Sequence, residues 1–364
     1  MATTTIPTAA PTSTITPSPP TTTLPKTYPH QIPIAIIGGT GLSALPSPPF
    51  TPLAILPPPP TPWGTPSSPI TVLSYTPPSP SSTTPITIAF LARHGPQHNL
   101  TPSEIPSRAN VAALKKLGVR VAIGFSAVGS LREEVKPRDF VVAGGVVDWT
   151  KGLRGACSFF GDGVVGHVGM GEPFDRKLSG VMYDALSSPA DREKKQVVLQ
   201  GEGVKVHDKG VVICIEGPQF STRSESQLYR SFPLDPPINC VNMSAVPECK
   251  LFREAEIAYA LLCMSTDYDS WRGEGEEGVS VEMVMGHMVA NGENAKRAVG
   301  AILEALGREM EMETEASKGV VGERLRGTNR GAVMGLGSGG DAKAVEAVER
   351  LTWLFGKEWV DGKV

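Results

Sequence analysis

The stretch that decides the fold is SRANVAALKKLGVRVAIGFSAVGS, residues 107–130. Its first half, 107–118, has apolar residues at helical spacing and ends in a glycine, which predicts a helix. Its second half, 119–130, is a run of apolar and small residues typical of a buried strand. The segment ITIAFLARHG at 86–95 also has the pattern of a strand, ending in charge. The order therefore predicts a β-α-β rhythm.

The same alternation extends in both directions along the chain. It predicts an α/β protein, a three-layer sandwich with a central mixed β-sheet flanked by helices. The further strands are predicted at 32–39, 139–147, 210–215, 238–242 and 257–266. The further helices are predicted at 175–187, 222–230, 247–256, 280–308 and 341–355.

The composition divides the chain unevenly. Of the 34 prolines, 23 lie in residues 1–85, a stretch whose one formal charge is Lys26. The Thr/Pro-rich residues 1–30 have too little apolar surface to offset the entropy of ordering, so we expect a disordered leader there. Residues 31–364 are predicted to form a single domain.

Two segments of that domain are predicted to be loop insertions. Residues 46–69 surround the proline-rich run PPPPTPWGTPSSP, and residues 318–340 contain eight glycines. Long surface loops are the usual structure for such compositions.

Charge and cysteine content exclude several functional classes. Thirty-four basic residues against 37 acidic ones provide no general positive field for a nucleic acid. No export signal and no membrane-spanning apolar run is present in the sequence, so we expect a soluble cytoplasmic protein, with the nucleus as a second compartment. The five cysteines form no C-x-x-C pair, which argues against a zinc site.

Four predicted strands end in groups that could bind an anion. These ends are GGTGLS at 38–43, ARHG at 92–95, GFSAVGS at 124–130 and VNMSAVPE at 241–248. They supply hydroxyls, an arginine fork and approachable backbone amides. Because open α/β proteins bind ligands at the carboxyl edge of the sheet, we expect these ends to converge into one phosphate site. Each of them taken alone is also compatible with a tight turn or a surface ion pair.

The motifs occur together in an order that resembles the trimeric branch of the purine nucleoside phosphorylase family. The segments that show this resemblance are IAIIGGTGL, FLARHGPQHN, SAVGSLREE, IEGPQFSTRSES, NMSAVPE and STDYDSW. The resemblance covers about residues 32–310 and implies the nucleoside phosphorylase fold. It also implies a reaction in which phosphate attacks the anomeric carbon of a nucleoside and the purine leaves.

The resemblance assigns individual residues to the two halves of such a site. Met243 matches the residue packed on the ribose, and Phe220 and Ser221 match the base pocket. His167 matches a histidine that completes the site of a neighbouring subunit in a homotrimer. The family's apolar wall for a methylthio group corresponds to Val279, Val281 and Val284. Its phosphate-binding residues correspond to Thr40, Arg93, His94, Ser126, Ala127 and Ser244.

The acids of MSTDYDSW, residues 264–271, indicate which purine is bound. Asp267 and Asp269 are two apart, so on an extended chain they point to the same side. A carboxylate accepts a hydrogen bond from the exocyclic amine of adenine, whereas opposite the O6 of an oxopurine it would leave two acceptors opposed. We therefore expect Asp267 to contact N7 of the purine. Asp269 is expected to orient the base or to bind its exocyclic amine. Acids that only cap a helix or pair with arginine are the structural alternative.

These residues predict phosphorolysis of a 5′-methylthio nucleoside of adenine, which yields adenine and 5-methylthioribose 1-phosphate in purine and methionine salvage. The alternative is a 6-oxopurine nucleoside phosphorylase acting on inosine or guanosine. A nucleosidase that uses water and a non-catalytic nucleoside-binding protein are more distant alternatives. We expect no metal and no organic cofactor, because positioning and electrostatics can supply the acceleration, and phosphate is a co-substrate of the reaction. Nucleic acids and membranes are not expected partners.

Overall fold

The computed structural model describes residues 23–78, 84–187, 199, 204–272, 281–314, 318–336 and 342–361. Its strands are, in chain order, β1 Ile34–Gly38, β2 Phe50–Leu56, β3 Ile70–Tyr75, β4 Ile86–Ala92, β5 Val121–Ser130, β6 Phe140–Trp149, β7 Val164–Gly166, β8 Val206–Ile215, β9 Ile238–Asn242, β10 Ala258–Asp267 and β11 Val333–Leu336. Its helices are α1 Ser107–Lys116, α2 Arg176–Ser187, α3 Arg223–Ser231, α4 Ala245–Glu254, α5 Val281–Met312, α6 Ala342–Phe355 and α7 Lys357–Asp361. The strands and helices predicted from the sequence are all present.

The predicted three-layer arrangement is confirmed by the way neighbouring strand residues alternate between two cores. In β1, Ala35 and Ile37 pack into the core that contains α1, α4 and α6. Ile34 and Ile36 point to the opposite face and pack into the core that contains α2 and α5. Successive side chains of a strand point to opposite faces, so a strand that is apolar throughout must be covered on both sides.

The central sheet is mixed and partly closed. Its strand order is β10-β6-β8-β9-β5-β1-β4-β3-β2, and β10 additionally pairs with β5. Strands β10, β6, β8, β9 and β5 therefore form a closed ring, from which the other four extend as an open sheet. The β-α-β unit predicted from 86–130 places β1 between β4 and β5, with both pairings parallel.

Ring closure brings distant segments to one end of β5. Gly129 on β5 lies opposite Asp267 on β10 and opposite Val241 on β9. The segment after β9 and the acids at the end of β10 thus meet across a single glycine. A Cβ at this glycine would lie 3.0 Å from Oδ1 of Asp267, so a larger residue would crowd the acid.

The prediction that residues 46–69 form a surface loop is wrong for Phe50–Leu56, because these residues form β2, which pairs antiparallel with β3. Its prolines obscured the alternation of Phe50, Ala54 and Leu56, which are buried. Proline is tolerated on an edge strand, where one side of the backbone needs no partner. The predicted loop 318–340 likewise contains β11, which pairs with β7.

Of the predicted disordered leader 1–30, residues 1–22 lie outside the described residues. Near its end, the carbonyl of Pro25 accepts a hydrogen bond from the Ile55 amide at 2.9 Å. Tyr28 also packs against the first core. The last residues of the predicted leader are therefore attached to the domain, which corrects its boundary.

Candidate active site

The candidate site lies at the carboxyl ends of β1, β4, β5, β9 and β10. The four strand ends that were predicted to bind an anion lie next to one another in the structure. The side chain of Arg93, which follows β4, lies beside Gly39 after β1, and its Nη1 donates to the Phe125 carbonyl on β5 at 2.7 Å. Ser126 on β5 contacts Ser244 after β9, with 3.1 Å between their Oγ atoms.

Asn242, which the sequence analysis did not single out, holds the two serine hydroxyls. Its Nδ2 donates to Ser126 Oγ at 2.6 Å and to Ser244 Oγ at 3.3 Å. Its Oδ1 accepts from the backbone amides of Ser244 and Ala245 at 2.7 and 2.5 Å. Asn242 thus holds the backbone of the turn into α4 and fixes both hydroxyls with one side chain. A short polar residue between a strand and a helix was the available sequence signal.

Arg93 is 1% exposed and is held mainly by Glu248 of α4. Its Nε and Nη2 donate to the two carboxylate oxygens of Glu248 at 2.6 and 2.9 Å, and Tyr259 donates its hydroxyl to the same carboxylate at 2.7 Å. Burial opposes the charge of Arg93, but Glu248 more than offsets it and raises the pKa above the usual arginine range. These bonds use three of the five N–H groups, and the Tyr259 hydroxyl is a further hydrogen-bond neighbour of Arg93.

His94 and His98 form the side of this cluster nearest to Thr40. Their rings lie 4.6 Å apart, and His98 Nε2 is 3.3 Å from Thr40 Oγ1. His94 Nδ1 donates to the Leu100 carbonyl at 2.9 Å, since a carbonyl can only accept. Burial and the neighbouring Arg93 lower the pKa of His94 to about 4, so the ring is neutral at physiological pH. With Nδ1 bonded to Leu100, Nε2 of the neutral ring is an acceptor.

The acid pair at the end of β10 is buried. Asp267 is 4% exposed; its Oδ2 accepts from the Thr266 hydroxyl and its Oδ1 from the Asp269 amide, both at 2.7 Å. Asp269 has a φ of 48°, in the left-handed region. Its Oδ2 and the hydroxyls of Ser221 and Ser226 form no well-aligned hydrogen bond within the described residues, although both hydroxyls lie close enough to Asp269 to affect its pKa.

Both carboxyl groups have raised pKa values. Burial raises the pKa of Asp267, although the bonds from Thr266 and the Asp269 amide oppose this shift. Burial, with a further contribution from the neighbouring Asp267 charge, raises the pKa of Asp269 to about 6, against the nearby hydroxyls of Ser226 and Ser221. A carboxyl group that gains or loses its proton near neutral pH is suited to acid chemistry or to reading a base.

The residues predicted to contact ribose and base lie around this pair to differing degrees. Met243 packs on Gly217, where an added Cβ would lie 2.6 Å from the methionine sulfur. Ser221 is buried, whereas Phe220 is 43% exposed and is therefore not a core residue. The backbone of Ala127 lies in the β5–β10 ladder opposite Met264.

The residues predicted to bind the 5′ group are placed less completely. His167 is exposed, just after β7, and its amide donates to the Ala332 carbonyl at 2.9 Å. Val284 is half-buried in the first turn of α5, and Val281 begins that helix. Val279 lies outside the described residues.

Neither a metal site nor a membrane-spanning helix is present in the described part of the chain. No three His, Cys, Asp or Glu side chains within the described ranges lie close enough together to bind a metal ion. Nor do those ranges contain a helix of sufficient length and hydrophobicity to cross a bilayer.

Comparison with known sequences identifies the family. Residues 33–304 match the model of the phosphorylase superfamily. The chain belongs to the phosphorylase superfamily. The site described above is therefore the candidate active site of a member of this superfamily, in agreement with the resemblance seen in the motifs.

Curated relatives and solved structures of this superfamily are similar over most of the chain. It is 48% identical to S-methyl-5′-thioadenosine phosphorylase of Phaeosphaeria nodorum, covering 91% of this chain and 89% of the relative. It is 50% identical to the enzyme of the same name from Tuber melanosporum, covering 90% and 97%. A crystal structure of methylthioadenosine phosphorylase from an antarctic soil metagenomic library superimposes with a TM-score of 0.67, at 34% identity over 90% of this chain and 99% of that one.

Proposed function

We propose that this superfamily member catalyses phosphorolysis of S-methyl-5′-thioadenosine, yielding adenine and 5-methylthioribose 1-phosphate. The observation that carries the proposal is the position of the buried pair Asp267 and Asp269, because Asp267 lies opposite Gly129 on β5, the strand that also carries Ser126 of the hydroxyl cluster with Ser244. One site then combines an anion-binding flank with an acidic flank. The names of relatives 46–53% identical to the chain support the same substrate.

Phosphate is bound in this proposal by the flank built on β1, β4, β5 and β9. Ser126, Ser244 and the Ala127 amide donate to its oxygens, together with Thr40 and the remaining N–H groups of Arg93. Neutral His94 accepts from a protonated phosphate oxygen. The bound anion stabilises the positive charge that develops on the ribose as the glycosidic bond lengthens.

The reaction exchanges one bond at the anomeric carbon for another. The bond between C1′ and N9 breaks and its electron pair goes to the purine, while a phosphate oxygen bonds to C1′. Asp267 contacts N7 and passes a proton to it as the bond breaks, which neutralises the leaving base. No covalent enzyme intermediate, metal or organic cofactor takes part in the proposed reaction, and positioning of the two substrates supplies much of the acceleration.

Asp269 reads the 6-position of the purine. Its unpartnered Oδ2 accepts from the exocyclic amine of adenine when the carboxyl is ionised. The O6 of inosine offers no hydrogen there, and a buried acceptor opposite an acceptor costs about 1–3 kcal/mol, or roughly 10- to 100-fold in rate. The 6-oxopurine alternative is thereby disfavoured.

The 5′ side of the site is completed by a neighbouring subunit in this proposal. We propose a homotrimer in which His167 reaches the partner's site, and in which Val279, Val281 and Val284 form the wall for the methylthio group. The exposed position of His167 is compatible with such a contact. We further propose a role in methionine and purine salvage in the cytoplasm and nucleus.

The test is to incubate the protein with S-methyl-5′-thioadenosine, with and without phosphate, and to measure free adenine. We expect adenine only when phosphate is present, and much slower turnover of inosine. Adenine release without phosphate would identify a nucleosidase, and preference for inosine would overturn the assignment of the acid pair.

A further inference from the structure

Arg154 is a buried arginine that the proposed reaction does not use. It lies in the loop between β6 and β7, flanked by Gly152 and Gly155, whose φ values of 78° and 69° allow the loop to turn inward. Its guanidinium is 2% exposed and forms an ion pair with Glu216, with 3.1 Å between Nε and Oε1. A buried arginine with this many donors needs a partner for nearly every N–H group.

The remaining donors of Arg154 bind backbone carbonyls on both sides of the site. Nη2 donates to the carbonyls of Ile215 and Glu216 at 2.5 and 2.7 Å. Nη1 donates to the carbonyl of Met243 and, at 2.8 Å, to that of Val246. Arg154 thus joins the end of β8 to the segment 243–246, which contains the ribose contact and a phosphate hydroxyl.

One peptide unit is fixed from both ends by this arrangement. The carbonyl of Met243 accepts from Arg154, while the amide of the same peptide, that of Ser244, donates to Asn242 Oδ1 at 2.7 Å. The Cα atom of Ser244 lies in the plane of this peptide, so the orientation of the plane fixes the position of the Ser244 side chain. The close packing of Gly217 on the Met243 sulfur adds a third constraint from the β8 side.

Glu216 extends the network to two other loops of the site. Its carboxylate accepts from the Ser103 hydroxyl at 3.0 Å, in the loop that follows His94. It also accepts from the Lys151 amide at 2.6 Å, in the loop that carries Arg154. The arginine and its carboxylate therefore tie together the loops after β4, β6, β8 and β9.

We propose that Arg154, with Glu216, is a positioning residue that holds Met243 and Ser244 in the geometry required for phosphate binding. The inference rests on the proposed function, because only in that function does Ser244 bind phosphate. Lysine cannot replace the arginine, since a single ammonium group has three donors and no planar fork to reach five acceptors.

The test compares Arg154→Lys with the wild-type protein by calorimetric titration with inorganic phosphate and, separately, with adenine. We expect the affinity for phosphate to fall about 10- to 100-fold, because the Ser244 hydroxyl is no longer held in place. The affinity for adenine should change less than about twofold, because the acid pair lies on the other flank. In turnover assays the KM for phosphate should rise by a similar factor.

Arg132→Lys is the matched control. Arg132 Nε also donates to a carbonyl of β9, that of Ile238 at 2.8 Å, but at the opposite end of the strand. This variant should bind phosphate like the wild type. If Arg154→Lys does not fold, Glu216→Gln tests the same network with an uncharged acceptor of equal size, and a several-fold loss of phosphate affinity is expected.

Two results would overturn the inference. One is a folded Arg154→Lys protein, or Glu216→Gln in its place, with wild-type phosphate affinity. The other is an equal loss of phosphate and adenine affinity, which would indicate a general packing role. Failure of the proposed function is distinguishable, because it would appear as absence of adenine release by the wild-type protein.

Discussion

The two flanks of the site satisfy their polar groups in opposite ways. On the phosphate flank, Asn242 donates to both serine hydroxyls. Of the five N–H groups of the buried Arg93, two donate to Glu248 and one donates to the Phe125 carbonyl. On the base flank, among the described residues, Asp269 Oδ2 and the Ser221 hydroxyl are buried without a partner. The phosphate flank is held by contacts within the protein, whereas the base flank has acceptors and donors free for a purine.

This difference has an energetic consequence for each flank. Groups already fixed by protein contacts lose little entropy when an anion binds, so the phosphate flank gains affinity from preorganisation. Asp269 Oδ2 and the hydroxyls of Ser221 and Ser226, which are buried without well-aligned partners, instead destabilise the unliganded fold, and burial raises the pKa of Asp269. A purine that satisfies them gains both binding energy and specificity.

Loss of the leaving-group acid should break the base flank most severely. In Asp267→Asn the side chain keeps its shape but cannot transfer a proton to N7, so we expect kcat to fall roughly 10²- to 10³-fold. Adenine release from S-methyl-5′-thioadenosine measures the effect, with inosine as the second substrate. Discrimination against inosine should weaken as well, since an amide can serve a carbonyl. Unchanged kinetics would remove Asp267 from the mechanism.

Loss of the amide at position 242 should break the phosphate flank more moderately. Asn242→Asp keeps the acceptor for the amides of Ser244 and Ala245 but cannot donate to Ser126 and Ser244, and its charge repels the anion. We expect the KM for phosphate to rise about 10- to 100-fold, while the melting temperature stays within a few degrees of wild type. A normal KM for phosphate would contradict the role given to Asn242.

The pH dependence of substrate choice sharpens the comparison. Asp269, with a pKa of about 6, is ionised at pH 7.5 and mostly protonated at pH 5. The protonated carboxyl can donate to O6, so the ratio of methylthioadenosine to inosine turnover should fall several-fold over this range. A ratio independent of pH in wild type, or an equal fall in Asp269→Asn, would exclude Asp269 as the reader of the 6-position.

The smallest expected effect is on stability. The folded-state pKa of Asp269 lies above the value of about 4 for an unfolded chain, so its stabilising contribution is complete below pH 4 and is lost as pH rises through 6. Asparagine tolerates the positive φ of this position. The Asp269→Asn protein should therefore melt a few degrees higher than wild type at pH 8. The two proteins should melt together at pH 4, and calorimetry across this range provides the measurement.

Local patterns predicted most of the elements correctly, because apolar periodicity is a property of neighbouring residues. Edge strand β2 was missed, since its prolines match the pattern of a loop and only pairing with β3 makes it a strand. The motif order pointed to the residues of both flanks, and the structure brings the strand ends together. Asn242, His98 and Glu248 were not predicted as site residues, although all three lie within the quoted motifs.

By itself, the sequence determined the layered α/β arrangement, the strand ends that carry hydroxyls and acids, and the family. The tertiary structure decided the ring closure that places Asp267 opposite Gly129, and the partners of the two buried arginines, Glu248 for Arg93 and Glu216 for Arg154. These partners are separated by 155 and 62 residues along the chain. No local pattern records such pairs, because a buried charge is compensated by whichever opposite charge the packing of distant elements brings within hydrogen-bond distance.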